Sequence, residues 1–206
     1  MAMAPLVDRH YIQKIKEHYL PLLSSEGDSH RAVDWGSAVS QQRRFEVLIQ
    51  VTGQEMASLL DVGCGIGHLI DFLIPRGFQG EYLGIDLLPE MVAKAAKRHP
   101  ACRFAAADLF GGDEALRADY VVGSGLFTFA DQEFMESMIA RMFTSCHKAV
   151  AVNTLSQWST QHEAGEFHAD PIATLAFCRT LTPWVVMRHD YHPGDFTVYL
   201  YREPMP

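Results

Sequence analysis

A glycine stands at every second position in Gly63-Cys64-Gly65-Ile66-Gly67, and no other stretch constrains the fold as strongly. It follows the apolar run Leu59-Leu60-Asp61-Val62 and precedes His68-Leu69-Ile70-Asp71-Phe72-Leu73-Ile74, which can continue as a helix. Without a Cβ, glycine lets backbone N–H groups come close to a ligand at such a strand-to-helix turn. Nineteen residues beyond Gly67, a second apolar run, Tyr82-Leu83-Gly84-Ile85-Asp86, ends in a carboxylate. An acid at the tip of the second strand is placed to accept hydrogen bonds from both hydroxyls of a ribose. The order and distance of the two signals read as a site for an adenosine cofactor.

The glycine spacing narrows the choice of cofactor. A dinucleotide fingerprint runs G-x-G-x-x-G, but His68 fills the position of its third glycine. A phosphate-cradling loop would end in Gly-Lys-Ser/Thr, a triplet the chain lacks. The string Asp61-Val62-Gly63-Cys64-Gly65-Ile66-Gly67 resembles the first motif of class I S-adenosylmethionine (SAM)-dependent methyltransferases. Phe104-Ala105-Ala106-Ala107-Asp108 is similar to that family's third strand, Asp119 to Ser124 to its fourth and Lys148 to Asn153 to its fifth. The resemblance implies that the loop packs on the methionine part of SAM, that Asp86 holds the ribose and that Asp108 meets the adenine amino group. It makes Asp61, Gly63, Cys64, Gly65, Asp86, Leu87, Asp108, Leu109 and Ser124 cofactor-binding positions.

Bulk properties bound the partners. At 206 residues one domain is expected, with 48% hydrophobic and 20% charged residues as in ordinary soluble proteins. The formal net charge of −8 disfavours nucleic acid, whose binding rests on clustered Lys and Arg, and points to a small or cationic substrate. Cys64, Cys102, Cys146 and Cys178 stand far apart, the pattern of a reduced cytosolic protein. The segment Met1 to Asp8 lacks a signal-peptide pattern, and no stretch reaches the eighteen or so apolar residues of a membrane helix. A cytoplasmic location with no membrane partner is expected. No motif encodes assembly, and a homodimer stays open.

Hydrophobic periodicity predicts the architecture. A helix is expected over 8–20, stopped by Pro21, and a second over 37–51, with a loop and hinge at 24–29. Strands at 58–62, 81–85, 102–106, 119–124 and 147–153 then alternate with helices at 67–75, 89–98 and 131–145. A helix over 171–180, with Asp170 as its N-cap, precedes strands at 184–189 and 196–201. The link between these two strands is too short for a parallel crossover. The expected fold is α/β: a doubly wound, mostly parallel seven-stranded sheet with the last strand antiparallel and an N-terminal helical lid. Residues 1–52 form the lid and substrate-binding segment, and 53–206 the SAM-binding unit, within one structural domain.

Ligands of open α/β sheets sit beyond the carboxyl ends of the strands. From the lid, Tyr11, Tyr19, Trp35 and Arg44 are candidates: aromatic faces suit a sulfonium cation, and an arginine suits the cofactor's carboxylate. Each has a structural alternative, packing for the aromatics and a surface salt bridge for Arg44. Tyr11, Ser124 and Asn153 are the catalytic candidates. His162 to His168 lacks the second histidine of a zinc helix because Glu166 stands there, so no metal is expected. His189, His192 and Asp195 crowd one turn, which need not lie near the cofactor.

The resemblance implies in-line methyl transfer from SAM to a small-molecule metabolite. No Asp/Asn-Pro-Pro-Tyr-type motif follows the fourth strand, where Gly123 to Phe129 stand, and this speaks against amide or nucleobase N-methylation. Trp35-Gly36-Ser37, Ser40-Gln41, Arg44-Phe45 and the terminal His189-Asp190-Tyr191 and Asp195 to Tyr201 resemble a compact bacterial subgroup. The alternative is a methyltransferase-like cyclase that turns SAM into azetidine-2-carboxylate and methylthioadenosine. A SAM-binding regulator and a nicotinamide oxidoreductase rank third and last.

Overall fold

A computed structural model describes residues 7–52, 57–111 and 113–205. Seven strands form one sheet: β1 Ser58–Val62, β2 Glu81–Asp86, β3 Arg103–Ala106, β4 Ala118–Ser124, β5 Cys146–Leu155, β6 Val185–Arg188 and β7 Asp195–Tyr201. Their order is β3-β2-β1-β4-β5-β7-β6. The first five pair in parallel, and β7 runs antiparallel to both β5 and β6. This is the expected sheet, and it has the topology of the class I methyltransferase fold.

Six α-helices accompany it among the described residues: α1 Arg9–Ser25, α2 Ala38–Leu48, α3 His68–Leu73, α4 Pro89–Arg98, α5 Gln132–Ser145 and α6 Pro171–Leu181. Successive residues of the central strands serve opposite layers, as the strand period of two requires. Val121 packs with Met135, Ile139 and Met142 of α5, and Val122 with Phe45, Leu48 and Phe72 of α2 and α3. Both layers are apolar, so the strands read as continuous hydrophobic runs. Asp170 caps α6 as expected, accepting from Ile172 N and Ala173 N.

Helix α2 ends at Leu48 and α3 at Leu73, short of the expected 51 and 75, and two other boundaries run further than expected. Helix α1 continues through Pro21 to Ser25. An interior proline costs about 3 kcal/mol. Leu20 and Leu23, both partly buried, work against that cost by packing on a cluster of Ile66, Leu88 and Met91. Strand β5 runs two residues past Asn153 because Leu155 and Thr154 still pair with Asp195 and Phe196 of β7. The expected boundary at 52/53 abuts residues 53–56, outside the described residues.

No residue of α1 is fully buried. It lies across the carboxyl ends of the strands with Tyr11 and Ile12 on the α5-side core and Ile15 and Tyr19 on the Ile66 cluster. A helix half-covered along one stripe roofs the sheet end without joining its core.

Candidate functional site

The site begins where β1 ends. Gly63 and Gly65 adopt φ 69° and 52°, a region in which a side chain is strained. A Cβ on Gly65 would stand 2.9 Å from Val33 Cγ1, and one on Gly63 would overlap Leu126. The turn therefore needs glycine for conformation and for space. It is stitched to β2 by Cys64 N donating to Ile85 O at 2.9 Å.

Asp86 closes the other side. Its two oxygens accept from Gly65 N at 3.0 Å and Leu88 N at 2.9 Å, so the glycine turn itself orients the carboxylate. Burial pushes this carboxyl up, while those N–H groups pull it back. Carboxylate oxygens carry further lone pairs, which leaves acceptor capacity for a diol. Asp108 is held likewise, by Phe110 N and by Val7 N, both at 2.9 Å, and the second bond ties the chain entering α1 to the loop after β3.

Asp61 lies beneath the turn, 3% exposed, accepting the Tyr82 hydroxyl at 2.6 Å. Desolvation pushes its carboxyl up to about 7, against the pull of the Tyr82 bond. Burial also raises the Cys64 thiol well above its ordinary value, which makes it a packing group rather than a nucleophile.

These residues line a cavity that opens to solvent at the ends of the strands. Leu87, Leu109, Ser124 and Trp35 also reach its wall, and Tyr11 and Tyr19 hang from α1 above it. The Tyr11 ring lies 4.8 Å from Phe134 and its hydroxyl donates to Leu126 O at 3.4 Å. Tyr19 meets Phe129 edge-on at 6.3 Å. Burial raises both phenols, Tyr19 to about 12.

Two expected residues are elsewhere. Arg44 does not reach the cavity wall: its guanidinium pairs with buried Asp195, bonds Ser40 Oγ, and lies 4.7 Å from the centre of the Trp35 ring. It is neither placed for a cofactor carboxylate nor a surface bridge, because Asp195, itself 1% exposed, needs a counter-charge. Asn153 also stands behind the wall, accepting from Ser124 Oγ at 2.9 Å and donating to Arg44 O at 3.5 Å. Since β5 lies one strand beyond β4, the Asn153 amide meets Ser124 and does not line the cavity.

Sequence reasoning missed Gln41 and His68, which both line the cavity. They bond each other at 3.0 Å, and His68 Nε2 meets Asp28 O at 3.0 Å. The hints were His68 directly after the glycine turn and Gln41 within the Ser40-Gln41 pair. His192 Nδ1 does lie 2.8 Å from Asp195, as the crowded turn suggested, but neither lines the cavity. No metal-binding cluster exists among the described residues, and all four cysteines are free. No described helix is long and apolar enough to cross a membrane.

Residues 59–149 match a family model described as a methyltransferase domain. A Mycobacterium tuberculosis protein named as a methyltransferase is 33% identical over 159 residues, 72% of this chain and 95% of the relative. A trans-aconitate 2-methyltransferase of Agrobacterium fabrum is 33% identical over 82 residues, but these span only 32% of that enzyme. Among solved structures, the SAM-bound magnesium protoporphyrin IX methyltransferase of Synechocystis PCC 6803 superposes with a TM-score of 0.66 at 14% identity, covering 93% of this chain and 97% of that one. The S-adenosylhomocysteine complex of the N-methyltransferase NodS from Bradyrhizobium japonicum gives 0.64 at 16%, covering 91% and 98%. Kinship with a named methyltransferase over nearly its whole length, on this sheet topology, means that the chain belongs to the class I SAM-dependent methyltransferases.

Proposed function

We propose that this protein transfers a methyl group in line from SAM to a small-molecule metabolite. One observation carries the reading: the cavity lies at the carboxyl ends of β1, β2 and β4, with a glycine turn whose Gly65 N–H is spent on Asp86. The residues fit the cofactor. Asp86 would take the ribose hydroxyls, Asp108, Leu87 and Leu109 would surround the adenine, and Asp61, Gly63 and Gln41 would face the methionine end. When bound, SAM supplies a methyl group on a positively charged sulfur that a nucleophile displaces. The protein's own part is alignment of donor and acceptor, an effect that contributes roughly 7–11 kcal/mol in well-oriented systems.

Residues 1–52 act in this reading as the lid and 53–206 as the cofactor-binding unit. The trans-aconitate enzymes match over 31–40% of this chain, which is too little to carry over their acceptor. Cyclisation of SAM on itself would draw on Asn153, Tyr11 and Ser124. Asn153 stands behind the wall and the Tyr11 hydroxyl is engaged by Leu126 O, an arrangement that favours methyl transfer.

Incubation of the purified protein with SAM, alone and with pools of small acids, amines and phenols, tests the reading by mass spectrometry. S-adenosylhomocysteine that accumulates only with an acceptor is the expected result. Methylthioadenosine from SAM alone would replace methyl transfer by cyclisation.

A further inference from the structure

Gln41 of α2 lines the cavity while only 6% exposed, and its two amide atoms differ in what they meet. Nε2 lies 3.0 Å from His68 Nδ1. Oε1 has no hydrogen-bond donor among the described residues, and it is open to the cavity rather than enclosed. A carbonyl oxygen held in this way at a cavity wall is an acceptor kept for a donor that the ligand brings.

Which amide atom faces the cavity is fixed from behind. His68 Nε2 lies 3.0 Å from Asp28 O, a carbonyl that can only accept, so Nε2 carries the proton. Burial, with Arg98 and His30 nearby, disfavours the imidazolium against the pull of Asp28 O and Asp71. In the neutral ring Nδ1 is bare, so it accepts from Gln41 Nε2 and leaves Oε1 for the cavity. Asp28 is held in turn by α4, where Lys94 Nζ meets Asp28 Oδ1 at 3.1 Å and also bonds Gly27 O.

The place of Gln41 selects the ligand group, on the methyltransferase reading. His68 opens α3 directly after the glycine turn, which on that reading packs on the methionine part of SAM. Of the two charged groups at the end of that part, a carboxylate only accepts and an α-ammonium only donates. Two hydroxyls of the same wall are spent elsewhere, Ser124 on Asn153 and Tyr11 on Leu126 O. We propose that Gln41 Oε1 accepts from the α-ammonium of SAM and that His68 is the positioning residue holding the amide in that orientation. Such a bond is charge-assisted, and so stronger than one between neutral groups.

Calorimetry on the full chain tests this with S-adenosylhomocysteine and with its analogue carrying hydrogen in place of the α-amino group. Failure of S-adenosylhomocysteine to bind would remove the methyltransferase reading itself and this inference with it. The parent is expected to bind S-adenosylhomocysteine tenfold or more tighter than the analogue. Gln41→Leu should weaken S-adenosylhomocysteine at least fivefold and leave the analogue within twofold, which also reports that the variant is folded. His68→Leu should reproduce that pattern. Added to Gln41→Leu it should cost no more than a further twofold, because His68 acts through the amide. His68→Asn keeps an acceptor oxygen near the place of Nδ1 and should bind S-adenosylhomocysteine within threefold of the parent. An analogue that binds the parent as tightly as S-adenosylhomocysteine, or equal losses for both ligands in Gln41→Leu, would overturn the role of Gln41. Additive losses in the double variant, or His68→Asn as weak as His68→Leu, would overturn that of His68.

Discussion

Tyr82 on β2 donates its hydroxyl to Asp61 on β1 at 2.6 Å, inside the sheet and directly beneath the glycine turn. The pair sets a pH dependence. Burial holds the folded Asp61 carboxyl at about 7, well above its ordinary value of 3.8. Between those values the folded chain keeps a proton that the unfolded chain has lost, so stability from this group falls as pH rises from about 4 to 7. The penalty above pH 7 is on the order of 2–4 kcal/mol. Thermal unfolding of the ligand-free protein should show it, and Asp61→Asn should be flatter over that window and more stable at pH 8. Ionised Asp61 suits a cationic ammonium, so S-adenosylhomocysteine should bind severalfold tighter at pH 8 than at pH 6, a trend lost in Asp61→Asn.

Gly65→Ala should damage the cofactor site more than the fold. The substitution meets strain of about 1–2 kcal/mol at φ 52° and a contact at 2.9 Å with Val33. The expected result is at least a tenfold loss of S-adenosylhomocysteine affinity by calorimetry, with unfolding lowered by only a few degrees. Unchanged affinity would take the turn out of the site.

Asp86 must be probed gently because its carboxylate also receives Gly65 N and Leu88 N. A charge reversal to lysine would disturb the turn as well as the ligand. Asp86→Asn retains one carbonyl oxygen as acceptor, and it should cost tenfold or more in affinity while circular dichroism stays native.

Arg44 separates a structural from a cofactor role. Arg44→Met strands the buried carboxylate of Asp195, a loss of about 3–5 kcal/mol. Arg44→Met with Asp195→Leu should recover much of it by removing the stranded charge. S-adenosylhomocysteine affinity of the double variant should stay within threefold of the parent. A tenfold loss there would return Arg44 to the cofactor.

The alternation of strands and helices, the antiparallel β7, the glycine turn and the acid at the tip of β2 were legible in the sequence because each rests on local information: period-two and period-3.6 patterns, link length, and a turn only glycine can make. The roles of Arg44 and Asn153 were not. Arg44 and Asp195 meet across 151 residues, and which carboxylate a guanidinium finds depends on the docking of α2 against the end of β7. Asn153 lost its place in the wall because β5 lies one strand further out than β4, so its amide meets Ser124 first. Pro21 likewise lies within a helix only because Leu20 and Leu23 find apolar partners on α4 and the glycine loop. The sequence by itself determined where backbone can bend and which faces are apolar. Tertiary structure decided which charged groups are left for a ligand, since a buried charge pairs with whatever packing brings within reach.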